Sequence, residues 1–79
     1  MKLTVGTTPV RLPVHGAPVI QNLGPGVLYM DASETVDVNT GIRIPVGQAY
    51  EFTRTLEVSS GALFLVATQT TDVRCMEVG

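Results

Sequence analysis

The chain has one cysteine, Cys75, one histidine, His15, and no tryptophan in 79 residues. A single cysteine excludes an intrachain disulfide. One histidine with one cysteine cannot close a structural zinc site, which needs a full set of Cys and His ligands. Basic residues are scarce too: Lys2, Arg11, Arg43, Arg54 and Arg74 stand apart from one another, and the formal net charge is −2. Binding to nucleic acid through phosphates requires a basic patch, so no nucleic-acid partner is expected. No apolar run approaches the length of a membrane-spanning helix. Met1-Lys2-Leu3-Thr4-Val5-Gly6 lacks the apolar region of a signal peptide. The expectation is a reduced protein made in a cytoplasm, with no membrane partner.

What is present is apolar and β-prone. Hydrophobic residues make up 44% of the chain and charged ones 15%. Ordering a chain costs ~1.5 kcal/mol per residue, which the burial of a small core barely offsets. With disulfides and zinc excluded, self-association or docking on a larger body is the expected supplement, and some apolar surface should meet a partner.

Valine and threonine are abundant, and Gly, Pro, Asn and Asp interrupt at short intervals, so short strands with regular turns are expected and helices are not. The organising stretch is Gly41 to Phe52. Ile42, Ile44 and Val46 alternate with Arg43 and Pro45, Gly47 supplies a turn, and Tyr50 and Phe52 resume the alternation around Glu51. Ahead of it, Val19-Ile20 reads as a short strand, Asn22-Leu23-Gly24-Pro25-Gly26 as a turn, Val27-Leu28-Tyr29-Met30 as a strand buried on both faces, and Thr35 to Val38 as a weak strand. Beyond it come Thr55-Leu56-Glu57-Val58, a Ser59-Ser60-Gly61 turn, the most hydrophobic strand Ala62 to Ala67, and a closing strand Asp72 to Val78. The last two are expected to pair as a hairpin across Thr68 to Thr71. Met1 to Ala17 differs from the rest: Pro9, Pro13 and Pro18 each remove a backbone donor, which makes it an extended segment, either an edge strand or an arm laid on a neighbouring subunit. The expected division is residues 1–17 as this N-terminal segment or arm and residues 18–79 as a β-sandwich domain.

Candidate chemistry is thin. His15 would need an orienting carboxylate and a nucleophile to act as a base, and the sequence assigns neither, so it reads as an exposed loop histidine. Cys75 lies on an apolar strand face with Arg74 turned to the other side, which reads as a buried thiol rather than a reactive one. Asp31, Glu34 and Asp37 gather around one loop but lack the spacing and glycine turn of a calcium loop. The Gly24-Pro25-Gly26 turn loses an amide at Pro25 and precedes no Lys or helix start, so it is no phosphate loop. No catalytic residue, metal or cofactor is expected, and the chain does not read as an enzyme.

Gly41-Ile42-Arg43-Ile44-Pro45-Val46-Gly47 resembles the second conserved box of cupins, where a glycine, an Ile/Leu-Pro pair and another glycine turn a barrel corner. The cupin metal histidines have no counterpart, so the likeness implies a corner and no metal. Three blocks together resemble small head proteins of tailed bacteriophages, the decoration or minor capsid proteins: Val19 to Tyr29 with its Asn-Leu-Gly turn, Thr40 to Phe52, and Ala62 to Ala67 followed by Thr71 to Val78. That resemblance implies a non-enzymatic virion component, often trimeric, seated on the phage major capsid protein at the capsid surface and made in the host bacterial cytoplasm.

The expected fold is all-β, a small antiparallel β-sandwich or jelly-roll-like barrel. The expected function is that of a capsid decoration (cement) protein stabilising the mature head. The alternative is a tail- or fibre-associated module for host-surface ligands such as glycans, which the shortage of aromatics disfavours. Leu63, Leu65 and Met76 are the expected partner-facing residues, with Phe64, Val66, Val73, Cys75, Tyr50 and Phe52 filling the core.

Overall fold

The computed structural model describes residues 1–12, 17–51 and 63–78. Among these, the chain forms strands and no helix: β1 (Lys2–Val5), β2 (Val10–Arg11), β3 (Ala17–Gly24), β4 (Leu28–Asp31), β5 (Ile42–Ile44), β6 (Ala49–Glu51), β7 (Phe64–Ala67) and β8 (Thr71–Val78). They make two four-stranded antiparallel sheets, with orders β1-β8-β3-β6 and β2-β7-β4-β5. The fold is a small all-β sandwich, and the sheets do not close into a barrel.

The two orders have a simple origin. β1 pairs with β8, β2 with β7, β3 with β6 and β4 with β5. The chain is thus a long antiparallel ribbon folded at its middle. Rolling that ribbon brings β8 against β3 and β7 against β4, which is the wrapping of a jelly roll. As a result, each strand of the first sheet connects through a corner to the strand holding the same place in the second. The corners β1–β2, β7–β8, β3–β4 and β5–β6 all fall at one end of the sandwich.

This topology corrects two expectations. β7 and β8 do not form a hairpin: β7 belongs to the second sheet and β8 to the first, and Thr68 to Thr70 carry the chain between them. Thr35 to Val38 is not a strand either. The Asp37 carboxylate accepts from the Asn39 amide at 2.8 Å and the Thr40 amide at 3.1 Å, so local side-chain bonds replace a ladder. The organising stretch does turn at Gly47, with φ +83°, and it passes from the second sheet into the first. Within it Ile44 is buried, while Ile42 and Val46 remain about half exposed, Ile42 because β5 is an edge strand and Val46 because it lies in the corner beyond it. Met1 to Leu12 is integral to the sandwich. β1 and β2 are edge strands, one in each sheet, and Val5 and Leu12 lie in the core. His15, Phe52, the Thr55 to Val58 strand and the Ser59 to Gly61 turn lie outside the described residues.

The core lies between the sheets and contains Ile20, Val73 and Cys75 from the first and Leu28, Met30, Ile44, Leu65 and Ala67 from the second. Strand alternation accounts for it: Leu28 and Met30 point inward and Tyr29 does not. On β8 the inward set is Val73 and Cys75, as expected. On β7 the set is inverted. Leu65 and Ala67 are in the core, whereas Phe64 and Val66 face the other way.

One side chain ties the corners together. Asn22 is fully buried. Its Nδ2 donates to the Gly26 and Ile44 carbonyls, each at 2.9 Å, and its Oδ1 accepts from the Gly24 amide at 2.8 Å. Its backbone joins the next corner, donating to the Gln48 carbonyl at 2.9 Å and accepting from Gly47 at 2.7 Å. Further along, the Thr71 hydroxyl accepts from the Gly26 amide at 3.0 Å and donates to the Gln69 carbonyl at 2.8 Å. The Val27 amide donates to the Thr68 hydroxyl at 3.0 Å. The Ala67 amide reaches the Gly6 carbonyl at 2.8 Å. All four corners are therefore joined in series.

Each buried group left without a partner costs ~1–3 kcal/mol. Asn22→Ala should lower unfolding free energy by ~3 kcal/mol or more, read from urea denaturation. Asn22→Asp should cost at least as much, since it aims a buried carboxylate at carbonyl oxygens. A loss under ~1 kcal/mol in both variants would show that the corners hold without this clip.

Candidate interaction surface

Among the described residues no group of His, Cys, Asp and Glu side chains is placed to hold a metal. Asp31 ends β4 and Glu34 and Asp37 belong to the β4–β5 loop; the Asp31 carboxylate accepts from the Ala32 amide and the Asp37 carboxylate from the Asn39 and Thr40 amides. Arg74 and Asp72 form an ion pair on the outer face of the first sheet, with both side chains well exposed. A pair in that setting contributes little to stability. Cys75 is buried, and burial pushes its thiol up from the ordinary value, with a smaller opposing effect from the Met1 amino group. Nothing there activates a nucleophile.

The two outer faces of the sandwich differ. On the second sheet, Tyr29 of β4 stands beside Val66 of β7 in the pairing register, and the β4–β5 loop folds back over them. Val36 from that loop and Val66 are both buried, yet neither belongs to the inter-sheet core. Gly41 permits this close return: a β-carbon there would lie 2.8 Å from the Tyr29 Cβ and 2.9 Å from the Val36 Cγ2. The expected second burial of β4 is thus provided by the chain's own loop.

Among the described residues, the outer face of the first sheet has no such cover. Val19 of β3 is in register with Met76 of β8 and Glu51 of β6, and Gln21 with Arg74 and Ala49. Met76 is 56% exposed, Ala49 and Gln21 are exposed, and Val19 is half-buried. With Met1 and Cys75 these residues line an open depression of about 370 Å³. Its floor is apolar, and Arg74, Gln21 and Glu51 supply polar groups around it.

The expected partner-facing set is divided by the structure. Met76 lies on this open face. Leu65 is fully buried between the sheets, so its assignment to a partner-facing surface is corrected: it is a core residue. Leu63 is half-buried and packs on that same core. Of the expected core set, Val73 and Cys75 are in the core and Tyr50 packs against it, Phe64 and Val66 turn away, and Phe52 lies outside the described residues. Val19 and Ala49 complete the open face and were absent from the expected set. Their signal was pairing register, which joins β3, β6 and β8 and which no single strand reveals.

No family model matches the chain, and no curated protein and no solved structure matches it.

The buried thiol yields a test. Cys75 in the native protein should react with an aromatic disulfide reagent at the rate of global unfolding, and addition of urea should restore ordinary thiol reactivity. A raised folded-state value means the thiol's contribution is intact below the ordinary thiol range and declines as pH rises through it. Native stability should fall with alkaline pH more steeply than that of Cys75→Ala. Rapid labelling without unfolding, or identical pH slopes, would contradict this.

Proposed function

We propose that this protein is a structural virion component, a capsid decoration protein that binds the major capsid lattice of a tailed bacteriophage through the outer face of its first sheet. The observation that carries the reading is the asymmetry of the sandwich. One outer face is partly covered by the chain's own loop, which leaves a depression of about 330 Å³ beside Val36, Val38 and Val66, and the other, among the described residues, presents Met76, Val19 and Ala49 around an open apolar depression that no loop crosses. Monomeric proteins rarely leave an apolar patch of this kind without a use. The three sequence blocks that resemble small phage head proteins supply the identity of the partner. A stitched β-sandwich also suits a cement role, which calls for stiffness and for many modest contacts repeated over a lattice.

The reading assigns no catalytic residue and no cofactor. The alternative of a tail or fibre module for glycans has less support, because the open face carries no aromatic side chain among the described residues, and glycan sites present exposed rings.

The test is co-sedimentation of the purified protein with bare phage heads, unexpanded and expanded. Saturable binding to expanded heads is expected. Met76→Asp and Val19→Asp should each bind ~10-fold or more weakly while keeping the native circular dichroism and thermal transition, since neither side chain belongs to the core. Absence of binding by the native protein to either particle would remove the proposal. Native binding that survives both substitutions would move the contact to another face.

A further inference from the structure

We infer that the protein self-associates through β1, two copies pairing their β1 strands antiparallel across a two-fold axis to make the first sheet continuous through the dimer. The occupant of the β1 edge is a second copy of this chain.

The argument starts from the hydrogen-bonding phase of β1. Met1 and Cys75 exchange both backbone bonds, the Met1 amine donating to the Cys75 carbonyl at 2.6 Å and the Cys75 amide to the Met1 carbonyl at 2.9 Å. In an antiparallel pair such residues alternate with non-bonded ones. Leu3 opposite Val73 and Val5 opposite Thr71 are therefore also bonded pairs. The amides and carbonyls of Lys2 and Thr4 point away from β8, off the edge of the sheet. Among the described residues nothing bonds to them. An array of this kind is a template for another strand.

The other three edges are poorer templates. β2 is two residues long and follows Pro9, and β5 is three residues long and ends at Pro45. β6 spans three of the described residues and carries the exposed side chain of Glu51. β1 is a regular four-residue strand without proline, glycine or bulge.

The chemistry then selects self-pairing in one register. Opposing Lys2 to its own copy sets like charges face to face, which is unfavourable. Opposing Thr4 to its own copy sets Lys2 against Gly6, whose carbonyl is already taken by the Ala67 amide at 2.8 Å. Opposing Lys2 to Thr4 uses every free backbone group of both residues and separates the lysines. It also sets Leu3 against Leu3 across the axis. Leu3 is on the inner face, packed on the core but only half-buried because its strand is at the edge. A second Leu3 would cover that open flank.

A two-fold pairing gives a dimer, whereas the phage resemblance implies a trimer, so mass decides. Sedimentation equilibrium of the native protein over a wide dilution series should show a reversible monomer–dimer equilibrium. Thr4→Pro removes an outward amide and no bond to β8, and should sediment as a folded monomer. Should Thr4→Pro fail to fold, amide hydrogen exchange of the native protein decides: protection of the Lys2 and Thr4 amides should rise with protein concentration. A native protein that is monomeric throughout, or trimeric, overturns the inference. So does a Thr4→Pro protein that remains dimeric, or fast exchange at Lys2 and Thr4 at every concentration.

Discussion

The sandwich depends on Asn22. Its amide group is fully buried at the point where the β3–β4 and β5–β6 corners meet, and every polar atom of its side chain is used. A corner that carries a chain from one sheet to the other must break both ladders, which leaves amides and carbonyls unpaired where water has little access. Four such corners lie side by side in this fold. Asn22 answers the problem for two of them, and Thr71 with Thr68 joins a third, the Thr71 hydroxyl donating and accepting and the Thr68 hydroxyl accepting. Hydrophobic burial gives the sheets a reason to face each other, but it does not choose a register. The directional bonds of Asn22 do, since the one to the Ile44 carbonyl fixes a distance between strands of different sheets and those to Gly24 and Gly26 fix the path of the corner. A chain of 79 residues without a disulfide has few other means of holding its corners together.

The same economy explains the unequal faces. A sandwich this thin has two outer faces and a short supply of loop to cover them. The β4–β5 loop is spent on the second sheet, where local bonds from Asp37 give it a fixed shape and Val36 partly covers that sheet. Among the described residues the first sheet receives nothing comparable. Its outer surface is charged toward β1, with Lys2 and the Arg74–Asp72 pair, and apolar toward β3 and β6, with Val19, Met76 and Ala49. This gradient separates two uses of one sheet: the apolar part suits docking on a large body, and the β1 edge suits extension by another strand. The two surfaces meet at Met1, which lines the depression and precedes β1; a dimer joined at β1 would present two open faces side by side, and paired faces bind a repeating lattice more tightly than one.

Much of this was legible in the sequence. The turn residues at Asn22 to Gly26 and at Pro45 to Gly47 mark two of the corners, and the alternation around Val73 and Cys75 places them inward. The central position of the hydrophobic strand, between β2 and β4, follows from its composition. Three things were not legible, for a physical reason. Which face of Phe64-Leu65-Val66-Ala67 points inward is not encoded in that segment, because both faces are apolar. The inner face is covered by the opposite sheet and the outer one partly by the β4–β5 loop, so both need hydrophobic residues. Equally, the stretch Thr68 to Thr71, the β7–β8 link and the first residue of β8, has the composition of a hairpin turn. It becomes an inter-sheet corner only because Thr68 and Thr71 find partners in the β3–β4 corner, far away in sequence. The role of Asn22 was hidden in the same way: as part of Asn-Leu-Gly-Pro-Gly it reads as a turn former, and its bond to the Ile44 carbonyl spans 22 positions.

The open face and the free edge bear on stability as well as on binding. A domain of this size buries a smaller fraction of its surface than a larger one, and its margin over the unfolded chain is correspondingly slim. Any contact made only by the folded form adds to that margin by mass action. A second copy on β1 would bury the flank of Leu3 and satisfy the backbone of Lys2 and Thr4, groups that the isolated chain leaves to water. A capsid lattice on the outer face would cover Met76 and Val19. Apart from Leu3, which packs on the core, these contacts draw on groups outside the inter-sheet core, whereas the side chains that hold the isolated fold, Asn22, Thr71 and the core residues, are buried. The molecule thus separates what folds it from what it would bind with, and this separation is what allows either surface to be altered without unfolding the sandwich.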